Sequence, residues 1–171
     1  MFTDLGLNKQ LLTAIEELGY EEPTEIQRRA IPPILSGNHV IGVAPTGTGK
    51  TAAFVLPILR KLNYAQAHDP RCLIFLPSRE LAHQVYENCL EFGKYTDLRF
   101  VKLTGGNGIQ AQRLALEDGA DVIIATPGRF MDLYFEGAVR LRSVEILVLD
   151  EADKMMDMCF IPQLNQIIEV I

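Results

Sequence analysis

The chain has few cysteines, few histidines, no long apolar run and no surplus of basic charge. Each shortage excludes something. No apolar run approaches the roughly 20 residues that span a bilayer, so a membrane protein is not expected. Met1-Phe2-Thr3-Asp4-Leu5-Gly6 carries no basic stretch ahead of an apolar core, so it does not read as a secretion signal. Cys72, Cys89 and Cys159 are odd in number and share no metal-ligand spacing. They read as reduced thiols of a cytoplasmic protein, with a nuclear one compatible if the source is eukaryotic. His39, His68 and His83 are scattered and read as solvated or structural rather than as a metal site. Lys and Arg number 16 against 22 Asp and Glu, a net charge of −6. Broad electrostatic adhesion to nucleic acid is therefore excluded, and any such contact must come from a local track. Repeats, low-complexity tracts and internal linkers are absent.

What remains is a chain of 171 residues with 48% apolar content. That is one domain, able to bury roughly 70% of its unfolded surface. Leu11, Leu12, Ile15 and Leu18 recur at helical spacing over 8–18, with Asn8 as N-cap and Gly19 as stop. Thr24 opens a second short helix, which the Pro32-Pro33 pair interrupts. Strands are expected at 39–44, 72–76, 100–103, 122–125 and 146–149. Helices are expected at 49–62, bent at Pro57, and at 79–95, 108–117, 128–136 and 163–171. Residues 63–71 form a polar loop. Short β-branched runs alternating with helices predict an α/β fold, a parallel sheet sandwiched by helices.

Ligands of such a sheet gather at the carboxyl ends of its strands, and the informative segments sit there. Residues 44–51 read Ala-Pro-Thr-Gly-Thr-Gly-Lys-Thr after an apolar run. This is a phosphate-binding loop, with Ala44 where the usual pattern has Gly. Thr46, Gly47, Thr48 and Gly49 would bring backbone N–H groups to an anion, at the positive end of the following helix. Lys50 would reach the β- and γ-phosphates, and Thr51 would offer its hydroxyl to Mg²⁺. Asp150 and Glu151 follow the apolar run Ile146-Leu147-Val148-Leu149. Asp150 would hold Mg²⁺, often through water. Glu151 would orient or deprotonate an attacking water. The bland alternative is a solvated acidic patch at a helix start.

The quartet Asp150-Glu151-Ala152-Asp153 resembles the motif that names the DEAD-box RNA helicases. Gly19-Tyr-Glu-Glu-Pro23-Thr24-Glu-Ile-Gln27, with Phe2 lying 17 residues before Gly19, resembles their Q motif. Pro77-Ser78-Arg79-Glu80-Leu81-Ala82 resembles motif Ia, Gly105-Gly106 with Gln112 the GG motif, and Thr126-Pro127-Gly128-Arg129 motif Ib. The match is collinear and covers nearly the whole chain. It implies a Q-motif region over 1–38, packed on an N-terminal RecA-like ATP-binding lobe over 39–171.

The resemblance implies that Gln27 reads adenine, with Thr24 beside it and Phe2 stacking nearby, and that ATP and Mg²⁺ are the cofactors. Thr24-x-x-Gln27 also fits a capping box, and Phe2 could equally anchor the N-terminus. Pro77, Ser78, Arg79, Gly105, Gly106, Gln112, Thr126, Pro127, Gly128 and Arg129 are implied to line a track for RNA. Ser78 and Thr126 are also good N-caps. Asp153 is implied to couple the site to a Ser-Ala-Thr motif and a second RecA-like lobe, and neither appears before Ile171. The strand carrying that motif is expected to lie between 39–44 and 146–149. Without it, backbone groups would go unpaired, so destabilisation or edge pairing with another chain is expected. The isolated lobe is expected to bind nucleotide with little turnover.

Cys159 stands where the family usually has Gly, and a positive φ there would strain it. Met155, Met156 and Met158 read as core filler. The competing readings are a DNA-directed helicase of the same superfamily, a non-enzymatic nucleotide-binding adaptor, and a small-molecule P-loop kinase.

Overall fold

The computed structural model describes residues 1–66, 69–106 and 108–171, and His68 lies outside them. They form two compact bodies, Met1–Tyr64 with Asn88–Leu98, and Ala65–Glu87 with Arg99–Ile171. The helix before the phosphate loop packs on the helix after it, so both belong to the first body.

In that body a short 3-10 turn, Phe2–Leu5, precedes α1 (Lys9–Glu17). Asn8 caps α1 as expected, its Oδ1 accepting from the Leu11 N–H at 3.1 Å. Leu11, Ala14 and Ile15 form its buried stripe. α2 (Glu25–Leu35) runs through Pro32 and Pro33 rather than stopping at them. Each proline deletes one helical donor, but the helix ends within a turn. The carbonyls of Pro32 and Pro33 are met from outside, by the Ser36 N–H and the Asn38 N–H at 3.0 Å each. α3 (Lys50–Leu62) is likewise unbroken through the buried Pro57.

Residues 39–44 are the largest departure. Among the described residues they form no strand, and Ile41 and Val43 are 95% and 92% exposed. Apolar, β-branched character makes a strand favourable only when a neighbouring strand supplies its hydrogen bonds.

The second body holds the sheet. β1 (Cys72–Phe75), β2 (Phe100–Leu103), β3 (Val122–Ala125) and β4 (Ile146–Leu149) are all parallel, in the order β2-β3-β1-β4. α4 (Arg79–Phe92), α5 (Ile109–Glu117), α6 (Pro127–Phe135), α7 (Ala152–Asp157) and α8 (Ile161–Val170) complete the alternation. α7 was not foreseen. The core runs from Leu73 and Phe75 through Ile123, Phe130 and Leu133 to Met155 and Leu164. Phe75 meets Phe130 edge-on at 4.9 Å.

β4 pairs with β1 and with no other strand among the described residues. Its residues are all apolar yet only half-buried, although such a run suits a strand covered on both faces. β4 is therefore an edge of this sheet, and with 39–44 forming no strand there is no pair of strands for the expected central gap to separate. Met155 is core, whereas Met156 and Met158 are exposed, which corrects the expectation for those two.

The amino ends of the strands carry a buried ion cluster. Asp121 is 0% exposed. It accepts from Arg71 Nη2 at 2.9 Å, Arg99 Nε at 3.3 Å, and the Gln66 and Arg99 backbone N–H groups at 3.0 and 2.9 Å. Burial, the largest single influence, pushes its carboxyl up. The donors together outweigh burial and hold it below the usual carboxylate range.

Cys159 has φ 60° and is exposed. The strain expected of a side chain in the left-handed region is present. Cys159→Gly is expected to stabilise by about 0.5–1 kcal/mol, the relief of strain slightly exceeding the entropy glycine adds to the unfolded chain. The check is a denaturant melt, in which the midpoint should rise at constant slope. An unmoved midpoint would mean that the turn carries no strain.

Candidate nucleotide site and nucleic-acid interface

In the first body the phosphate loop enters α3 through two glycines in left-handed conformations, Gly47 at φ 78° and Gly49 at φ 85°. Gly49 occupies the N-cap position, so no side chain caps the first N–H groups of α3. These are the donors an anion takes up at a helix start. Thr48 Oγ1 donates to the Pro45 carbonyl at 2.6 Å and tightens the turn. Thr46 is exposed, while Thr48, Lys50 and Thr51 are half-buried.

Gln27 is 1% exposed. Its Oε1 accepts from the Thr24 N–H at 2.9 Å, and the Thr24 side chain accepts from the Gln27 N–H, closing the capping box. Its Nε2 donates to the Gly49 carbonyl at 3.1 Å. One carboxamide thus joins the start of α2 to the phosphate loop. A Cβ at Gly49 would collide with it, so glycine is needed there for space as well as for φ. Spacing suggested the cap, but the bond across 22 residues left no local signal.

Phe2 lies inside the first body. It is buried, edge-on to Tyr20 at 6.1 Å, and Tyr20 meets Phe92 at 5.7 Å. The ring anchors the N-terminus.

In the second body the parallel register continues past the strands. The Thr126 N–H bonds the Leu103 carbonyl, the Leu76 N–H the Ala125 carbonyl, and the Asp150 N–H the Phe75 carbonyl, each at 3.0 Å. The segments beginning at Thr104, Thr126, Pro77 and Asp150 therefore leave one end of the sheet in spatial order.

Ser78 caps α4, its Oγ accepting from the Leu81 N–H at 3.2 Å, and Pro77 is buried behind it. Arg79 is exposed, and its guanidinium lies where a Cβ on Gly106 would be. Gly106 has φ 85°. Thr126 holds the N-cap position of α6 without spending its hydroxyl on the helix, and Pro127 is the first residue. Gly128 and Arg129 are half-buried, and Arg129 pairs with Asp132 at 3.7 Å. Ser78, Arg79, Gly105, Gly106, Thr126 and Gly128 thus share the carboxyl end of one sheet. Gln112 does not join them at the surface. It is buried, and its Nε2 donates to the Thr104 carbonyl at 2.9 Å.

Asp150 Oδ1 accepts from the Glu151 N–H at 3.0 Å. Glu151 caps α7 at φ 53°, a strained conformation for a side-chain-bearing residue. Its carboxylate lies 3.0 Å from Lys154 Nζ and holds that ammonium above its usual range. Asp153 is exposed. No cluster of three or more His, Cys, Asp or Glu among the described residues could hold a metal by itself. No helix among them is long and apolar enough to cross a membrane.

Residues 24–171 match the family model for DEAD/DEAH box helicases. The chain is 46% identical to the ATP-dependent RNA helicase DBP10 of Debaryomyces hansenii, over 98% of this chain and 18% of that protein. It is 44% identical to the ATP-dependent RNA helicase DeaD of Haemophilus influenzae, over 97% of this chain and 27% of that one. The crystal structure of a hypothetical ATP-dependent RNA helicase from Sulfolobus tokodaii superposes with a TM-score of 0.88 at 38% identity, covering 96% of this chain and 47% of that one. The chain thus spans about a fifth to a quarter of the curated relatives' length. With its parallel α/β sheet, its glycine-rich loop at a helix start and its strand ends in register, the chain has the RecA-like fold and belongs to the DEAD/DEAH box helicase family.

Proposed function

We propose that this chain is the ATP- and RNA-binding lobe of an ATP-dependent RNA helicase, which remodels RNA duplexes when completed by a second RecA-like lobe. The observation that carries the nucleotide half is the bond from Gln27 Nε2 to the Gly49 carbonyl. It ties a carboxamide, the group that can pair with adenine N6 and N7, directly to the phosphate loop. In this reading the base and the phosphates are sensed by one connected element. In the first body the Thr51 hydroxyl, at the start of α3, is the kind of oxygen donor that Mg²⁺ prefers.

The RNA half rests on the register of the strand ends. Backbone N–H groups at Gly105-Gly106 and at the start of α6, with Arg79, suit phosphates and read no sequence. A local track of this kind reconciles RNA binding with a net charge of −6. Hydrolysis is assigned to the completed protein. A residue such as an arginine finger contributes about 10³–10⁵ in rate for phosphoryl transfer, and the resemblance places it in the other lobe.

Competition of labelled Mg·ADP by ADP and by GDP tests the nucleotide reading. ADP is expected to displace the label at least about tenfold better. Equal displacement would reduce Gln27 to a helix cap and remove adenine reading from the proposal.

A further inference from the structure

We infer that Gln112 is a positioning residue for the nucleic-acid interface. By donating to the Thr104 carbonyl it holds the Gly105-Gly106 turn in the shape whose amides take a phosphate of single-stranded RNA. The inference rests on the RNA-binding reading above.

Two adjacent glycines have more backbone freedom than any other dipeptide. A turn built from them loses that freedom on binding a phosphate unless something fixes it beforehand. The structure supplies constraints on two sides. Arg79 lies against Gly106, in the space a Cβ would fill. Gln112, the fourth residue of α5, reaches back to the last carbonyl before the turn, at 2.9 Å.

The cost of Gln112 argues that it is there for more than packing. It is 6% exposed. Its Oε1 is buried with no hydrogen-bond partner among the described residues. An unmet buried acceptor is unfavourable, and a methionine or leucine would fill the volume without it. The bond from its Nε2 to the Thr104 carbonyl is what the amide gains in exchange. Thr104 is itself buried, so its carbonyl is a fixed point, and the turn hangs from it.

The test measures binding of a fluorescently labelled single-stranded oligouridine to the full chain over a range of salt, alongside Mg·ADP affinity and thermal melting. Gln112→Ala and the volume-preserving Gln112→Met are expected to bind the RNA about three- to tenfold more weakly. Their log–log salt slope should be shallower by up to about 0.7, as the Arg79 guanidinium laid against Gly106 loses its place on one phosphate. Mg·ADP affinity should not change. Leu116→Ala, a core truncation on the same helix, should lower the melting temperature and leave the slope intact. Folded Gln112 variants with wild-type RNA affinity and slope would overturn the inference and leave the RNA reading standing. RNA and Mg·ADP affinity falling together, in step with melting temperature, would also overturn it, making Gln112 ordinary core. No RNA binding by the wild-type chain at low salt would overturn the RNA reading and this inference with it.

Discussion

Asp121→Ala is expected to destabilise the sheet-bearing body by about 3–5 kcal/mol, the cost of removing one partner from a buried ion cluster. Asp121 is fully buried and holds Arg71, itself buried, together with Arg99. Its four donors come from the segments before β1 and β2. Without the carboxylate, the buried Arg71 guanidinium loses its 2.9 Å ion pair with Asp121, and the starts of three strands lose their common acceptor. A denaturant melt at neutral pH measures the loss. A change below about 1 kcal/mol would place the cluster among surface-like pairs.

The same group sets an acid dependence. Its carboxyl is held below the usual range in the folded state. Its contribution is therefore complete above the unfolded value, near 3.9, and is lost as pH falls through the lower folded value. Wild-type stability should fall below about pH 4, and Asp121→Asn should lack that component of the fall. Equal acid sensitivity in both proteins would assign the acid loss to other carboxylates.

Glu151→Gln should lower RNA-stimulated ATP hydrolysis in the completed protein by roughly 10²–10⁴, the range of general-base catalysis. Affinity for Mg·ADP should be nearly unchanged. Glutamine keeps the length of the side chain, bears the same left-handed backbone cost at φ 53°, and can still accept from Lys154. What it loses is the ability to take a proton from water. Strained residues persist where the surroundings over-determine them, and they concentrate at working sites. Single-turnover hydrolysis with saturating RNA is the measurement. A drop smaller than about tenfold would remove Glu151 from the role of base.

Much of this site is legible in local sequence because its chemistry is local. Asn8 and Ser78 cap helices because a short polar side chain can reach an N–H three residues on. Gly47 and Gly49 stand in left-handed conformations that only glycine adopts cheaply. The apolar runs at 72–76, 100–103, 122–125 and 146–149 became parallel strands, since each finds a partner in the same sheet. The run at 39–44 has equal strand character and found none. Propensity gives a segment the capacity for a strand, and pairing decides whether one forms. Pro32 and Pro33 misled in the opposite direction. Proline removes donors, but a helix that ends within a turn has few left to lose.

The sequence by itself determined the alternation of strand and helix, the phosphate loop, the acidic quartet and the family, because each depends on residues close together along the chain. Only the tertiary structure decided the rest. It buried Phe2 among Tyr20 and Phe92, joined Gln27 to Gly49, laid Arg79 against Gly106, drew Gln112 inward to Thr104 and gathered Arg71 and Arg99 on Asp121. Most of these contacts link residues far apart in the chain, and which polar groups meet is set by how helices and strands pack. A carboxamide or a guanidinium can satisfy many partners equally well, so residue identity names what it can bond and only the fold names what it does bond.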